Sequence, residues 1–235
     1  MSVSPRMKRK ISQPGRKSSG SLVFWLIGAA IIFVILIVVA INIGTSQPAV
    51  GEIKQPDLPA EWLDGSSMGN PDAKVVVEAY EDFLCPHCME WTTTIKSQIF
   101  ENYIKTGKVR FVYHTFPLSG FLPGSNMAAL ASQCAKDQGA FWPYHDALFS
   151  AQQGGQPAYT IDKLTSYAAQ LNLDERTFTS CMSSLQHQKD IDAAMQEGIA
   201  KGVQGTPAIY INGNAVNSDY PTLQAEIERL LSAAG

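Results

Sequence analysis

The sequence predicts an α/β domain that carries a helical insertion and is preceded by one N-terminal transmembrane helix. Three observations lead there. An unbroken apolar run fills 22–41. A β-branched stretch meets a helix-forming one at Cys85-Pro86-His87-Cys88. The segments beyond follow the order strand, long helical block, hairpin, helix. A length of 235 residues gives room for one sizeable domain plus an appendage. Four cysteines are too few for a cystine-framework miniprotein, and no glycine period supports a collagen-like chain.

The apolar run LVFWLIGAAIIFVILIVVAI holds no charge and is closed by Asn42-Ile43. About 20 residues at ~1.5 Å each span the hydrocarbon core of a bilayer. A cleavable signal peptide is the alternative. Its apolar region is shorter, roughly 7–15 residues, and Asn42 to Ser46 offers no clean cleavage site. The expected arrangement is therefore a basic cytoplasmic tail (1–20), an anchor (21–43), a proline-containing linker (44–68) and a domain (69–235). Charge sets the orientation. Arg6, Lys8, Arg9, Lys10, Arg16 and Lys17 all precede the first acid, Glu52; from Glu52 onward 21 acids face 12 bases, a formal −9. The basic end is expected in the cytoplasm and the acidic domain outside the cell membrane. An acidic domain repels phosphate backbones, which argues against nucleic acid as a partner.

Within the domain, 74–80 (KVVVEAY) reads as a strand and about 89–106 as a helix. Gly107-Lys108 turns into a second strand over 109–114. The stretch from about 125 to 201 is helical, broken at Gly139, at Gly154 to Pro157 and at Asn172, and defines an insertion of about 120–201. A strand at 208–211 meets Asn212-Gly213, the strongest hairpin signal, and a partner at 215–216. Pro221 starts a last helix with Leu223, Ile227 and Leu230 on one face.

The chemistry is concentrated at Cys85 and Cys88. A Cys-x-x-Cys at a helix start puts two sulfurs within bonding reach, the first among unpaired N–H groups that favour thiolate. Pro86 loses no hydrogen bond in a first turn, and His87 can add charge or a donor near Cys85. A stabilised thiolate makes a disulfide that accepts electrons readily. Two other readings of the pair are possible from the residues alone. Half a zinc site needs a second Cys/His pair, which Cys134, Cys181, His114, His145 and His187 do not form in sequence. A purely structural bridge closes too short a loop to be useful. No metal and no cofactor is expected.

Gly205-Thr206-Pro207 lies directly before the third strand. Together with the strand–Cys-x-x-Cys–helix unit and the later hairpin, it makes the layout resemble a thioredoxin fold. The DsbA-like branch is closer still: it is matched by Tyr80-Glu81-Asp82-Phe83-Leu84-Cys85, by the Pro-His dipeptide, by 141–149 (FWPYHDALF) and by 202–207 (GVQGTP). The resemblance covers about 70–231. It implies an extracytoplasmic thiol:disulfide oxidoreductase in which Pro207 is cis and the Thr206 backbone pairs with a bound substrate strand. It further implies reduced exported proteins as substrates, and a quinone-linked membrane reoxidant of the DsbB or vitamin K epoxide reductase type. Several DsbA-like proteins are similar in joining the inserted helices by a second bridge, here Cys134–Cys181; two buried thiols are the plain alternative. One departure stands out. Where the family often has a buried acid, six positions before the first cysteine, this chain has Ala79. Glu78 falls on the opposite strand face, and Glu81 and Asp82 read as surface acids. His145 and Trp142 read as packing residues, and Met127, Met182 and Met195 as core filler.

The expected activity is oxidation of substrate thiols, with Cys85 as the attacked sulfur and Cys88 as its partner. A reductase or isomerase on the same fold is the first alternative. A non-catalytic substrate-binding module is the second.

Overall fold

The computed structural model describes residues 20–45 and 53–234; nearly all of the basic tail, and residues 46–52 of the linker, lie outside the described residues. Two separate units result, divided after Gln47. In the first, α1 (Gly20–Thr45) is one helix of 26 residues, and its described side chains, 24–35 and 37, are almost all exposed. Among the described residues no helix is long and apolar enough to cross a membrane.

The second unit is built on one mixed sheet. Its strands are β1 (Leu63–Asp64), β2 (Ser67–Met68), β3 (Val75–Glu81), β4 (Val109–Thr115), β5 (Ala208–Ile211) and β6 (Asn214–Val216). Among the described residues their order is β1-β2-β4-β3-β5-β6. Only β3 and β4 run parallel, from Val75 opposite Val109 to Glu81 opposite Thr115. The helical connection between them is the crossover a parallel pair requires. The linker reading of 44–68 therefore ends too late, because its last residues already pair into the sheet. Gly69 explains the sharp exit: its φ is +105°, and a Cβ there would collide with the Val109 carbonyl.

Strand β3 separates two cores by its alternation. Val75, Val77 and Ala79 are fully buried in the main cluster, with Ile209, Ile211, Leu223 and Ile227. Tyr80 points the other way, into a smaller cluster with Phe116, Val203 and Tyr210. The hairpin forms at Asn212-Gly213, both with positive φ, as a two-residue turn of the favoured hand needs. The Asn212 carboxamide also accepts from the Val76 N–H at 2.7 Å and donates to the Lys74 carbonyl.

Helix α2 (Pro86–Trp91) runs straight into a π-helical turn (Thr92–Lys96), then α3 (Ser97–Ile99) and a second π-helical turn (Phe100–Ile104). The insertion contains α4 (Gly124–Lys136), α5 (Phe141–Ala151), α6 (Ile161–Gln170), α7 (Glu175–Ser183) and α8 (Gln188–Ala200); α9 (Tyr220–Ala234) closes the chain. Thr160 and Asp174 cap α6 and α7 by accepting the Lys163 and Thr177 N–H groups. Cys134 of α4 and Cys181 of α7 are joined by a disulfide with Cα atoms 5.9 Å apart across 47 residues of sequence. Closing a loop of that size stabilises by ~3–4 kcal/mol in the chain-entropy model.

Candidate active site

The site begins where β3 ends. Asp82 turns the chain: its carboxylate accepts from the Leu84 N–H and the Ser125 hydroxyl on Oδ1 and from the Leu118 N–H on Oδ2, each at 2.7 Å. Its carbonyl accepts the Cys85 N–H. A buried acid thus ties three segments together and sets the entry into α2. Cys85 is the N-cap residue of α2 and Pro86 its first residue.

Both sulfurs are buried, Cys85 at 4% exposure and Cys88 at 0%, while Pro86 and His87 are exposed. Across the sheet, Thr206-Pro207 is a cis peptide, and the Cys85 thiol donates to the Thr206 carbonyl at 3.4 Å. The two cysteines are driven apart in acidity. The Cys88 S–H, donating to Cys85, lowers the Cys85 pKa to about 6 against the cost of burial; the Cys88 and His87 backbone N–H groups add to it. Burial pushes Cys88 far up, and the hydrogen bond to Cys85 and the nearby Glu81 charge reinforce this. The sequence assigned part of this work to the His87 imidazole; the His87 group seen acting on Cys85 is its backbone N–H.

The acids next to the site overturn the surface reading. Glu81 is 0% exposed and Asp82 2%. Burial raises the Glu81 pKa to about 8, against the opposing pull of Lys96 and of the Thr92 hydroxyl. That hydroxyl donates to Glu81 Oε2 at 2.9 Å, and Oε1 has no partner among the described residues. Lys96, itself buried, donates to Asp146 at 3.2 Å and lies 5.2 Å from the centroid of the Trp142 ring. The signal for Glu81 was present in the sequence. Residues 77, 79 and 81 share a strand face, and the strand runs one residue further than its β-branched core suggests. Cys88, Thr92 and Lys96 recur every four residues along the helical segment.

The other candidates sit away from this centre. His145 is fully buried, 2.7 Å from Asp146, with its pKa lowered to about 4 first by burial and then by Lys96; it packs among Phe83, Tyr113 and Phe149. His114 and His187, unpartnered in sequence, gain carboxylates: Glu78 for the first, Asp137 and Asp190 for the second.

A buried thiol pair with split acidity, a cis proline beside it and a protonatable acid behind it can exchange disulfides with an outside thiol. The thioredoxin family model matches residues 63–229. The probable disulfide bond formation protein D of Bacillus anthracis is 30% identical over 171 residues, covering 70% of this chain and 77% of that one. Disulfide bond formation protein D of Bacillus subtilis is 31% identical, covering 70% and 76%. The crystal structure of oxidised BdbD from Bacillus subtilis superposes with a TM-score of 0.64 at 25% identity, covering 72% of this chain and 93% of that one. That of Wolbachia pipientis alpha-DsbA1, at 24% identity and a TM-score of 0.63, covers 75% and 94% and shares the fold. These matches agree with the geometry of the cysteines, and the chain belongs to the thioredoxin family as a DsbA-like protein thiol:disulfide oxidoreductase.

Proposed function

We propose that the protein introduces disulfides into reduced exported polypeptides, with Cys85 and Cys88 as its redox pair. The observation that carries this is the geometry of the pair: Cys85 caps α2 beside the cis Thr206-Pro207 peptide while Cys88 is fully buried, an arrangement that favours thiolate at Cys85 and thiol at Cys88. A substrate thiolate attacks Cys85 Sγ of the oxidised pair. A substrate–Cys85 disulfide forms, the Cys85–Cys88 bond breaks, and Cys88 leaves as a thiolate that takes a proton. Glu81, protonated at pH 7 with a pKa of about 8, is the nearby acid that supplies it. A second substrate thiolate attacks the substrate sulfur, and Cys85 departs as the stable thiolate. The product carries the new disulfide and the enzyme holds both electrons. Pro86 shapes the first turn, His87 adds a donor at its rim, and Thr206 and Pro207 offer backbone to a substrate strand.

The names of the relatives support this direction of electron flow. The test sets the two directions against each other. The oxidised protein is expected to form disulfides in reduced hirudin, and the same protein kept reduced by dithiothreitol to accelerate insulin reduction only weakly; rapid insulin reduction with no hirudin oxidation would establish the reductase alternative.

Anchoring is part of the same proposal. The apolar run 22–41 and the six upstream cations of the sequence support one membrane-spanning helix with the domain outside. Tethering keeps the pair within reach of a quinone-linked reoxidant of the DsbB or vitamin K epoxide reductase type. Alkaline phosphatase fused after Gly235 should be active in cells, and an inactive, stable fusion would place the domain in the cytoplasm.

A further inference from the structure

Beside Cys85, the start of α2 faces the turn ahead of α9 across an open cleft of about 380 Å³, lined in part by His87, Glu90, Trp91, Thr206, Pro207 and Asp219. Its charge is one-sided. Glu90 and Asp219 are exposed, and among the described residues no ion pair uses either. Asp219 is held ionised by the Thr222 N–H and hydroxyl, which it caps at 3.0 and 2.8 Å. His87 is the one lining residue able to carry positive charge. The apolar part is Trp91, whose indole N–H is already spent on the Ser218 carbonyl at 2.9 Å. The Thr206 hydroxyl, buried at the edge of the cleft, has no partner among the described residues.

Resting on the oxidase reading above, we propose that this cleft selects substrate cysteines flanked by Lys or Arg. Two carboxylates without an ion-pair partner, next to an aromatic side chain, are the surroundings a cationic side chain finds favourable. The formal −9 carried from Glu52 onward draws such segments in from a distance. The same cation acts on the reacting sulfur, because a neighbouring positive charge lowers a thiol's pKa and raises the thiolate fraction that attacks Cys85. Clefts and charges thus favour one class of substrate: extended, reduced segments with a basic residue within about two positions of the cysteine.

The test uses the oxidised full chain and a series of two-cysteine peptides. Lys, Ala or Glu stands at each position up to two residues either side of the first cysteine, and the second-order rate of thiol oxidation is measured at low and high salt. The rate ratio of Lys to Glu peptides should exceed tenfold at low salt and shrink at high salt. The double variant Glu90→Gln, Asp219→Asn should lower that ratio about fivefold, the size expected of two exposed charge pairs. Asn retains the helix cap. The part of the ratio that survives belongs to the peptide's own thiol. An equal ratio in the wild type and the variant would overturn the inference. Failure to oxidise even the Ala peptide would overturn the oxidase reading and the inference together.

Discussion

Glu81→Gln will slow disulfide transfer by about 100-fold or more, the usual contribution of a positioned proton donor, and will remove a pH dependence of stability. The kinetic effect follows from where the Cys88 sulfur sits. It is 0% exposed, so the thiolate released when a substrate attacks Cys85 has no water to solvate it. Glu81 is the nearby acid still protonated at pH 7. Gln keeps the oxygen that accepts the Thr92 hydroxyl but carries no proton to give. The stability effect has a definite sign. The folded pKa of about 8 lies above the unfolded value near 4.5, so the folded state binds the extra proton between those values. The stabilisation is fully present below about pH 4.5 and is lost as pH rises to 8, by at most ~1.4 kcal/mol per pH unit. Urea unfolding of the reduced protein from pH 4 to 9 should show wild type losing stability against Glu81→Gln across that window. Parallel profiles would mean that Glu81 does not titrate there.

The two cysteines will not respond alike to substitution. Cys85→Ala should abolish both oxidation and capture of substrates, because the sulfur that forms the mixed disulfide is gone. Cys88→Ala should abolish turnover but accumulate mixed disulfides, visible on non-reducing gels, when its Cys85 thiolate attacks a disulfide of an oxidised substrate and expels one substrate thiolate, because nothing inside the protein resolves the product. The structure adds a consequence that position in the helix alone does not give. The Cys88 S–H is the largest stabiliser of the Cys85 thiolate, so the trapping variant is itself a weaker acid at Cys85 than wild type. Capture in the Cys85→Ala protein instead would reverse the assignment.

Much of this was legible in the residues, and the misses share one cause. The parallel β3–crossover–β4 unit, the Asn212-Gly213 hairpin and the helical insertion follow from β-branched runs, a turn pair and alanine-rich periodicity. The pairing of Cys134 with Cys181 rested on resemblance, since two cysteines 47 residues apart say nothing about the helices that bring them together. Glu81 and Asp82 were misplaced because charge was read as exposure. One lies on the buried face of a strand that runs one residue longer than its Val-rich part. The other is buried by three hydrogen bonds from segments up to 43 residues away in sequence. The two short strands β1 and β2 were missed for a related reason. They lack their own periodicity and exist because β4 offers an edge to pair with.

The central claim is that Cys85 is a thiolate at neutral pH, held so chiefly by Cys88. Its most direct test is a titration of ultraviolet thiolate absorbance in the reduced full chain, repeated in Cys88→Ala. One thiol is expected to ionise near pH 6 in the wild type, with no second ionisation in the accessible range, and the first is expected to shift upward in Cys88→Ala. A wild-type midpoint near the free-cysteine value of about 8.5, unchanged in Cys88→Ala, would contradict it.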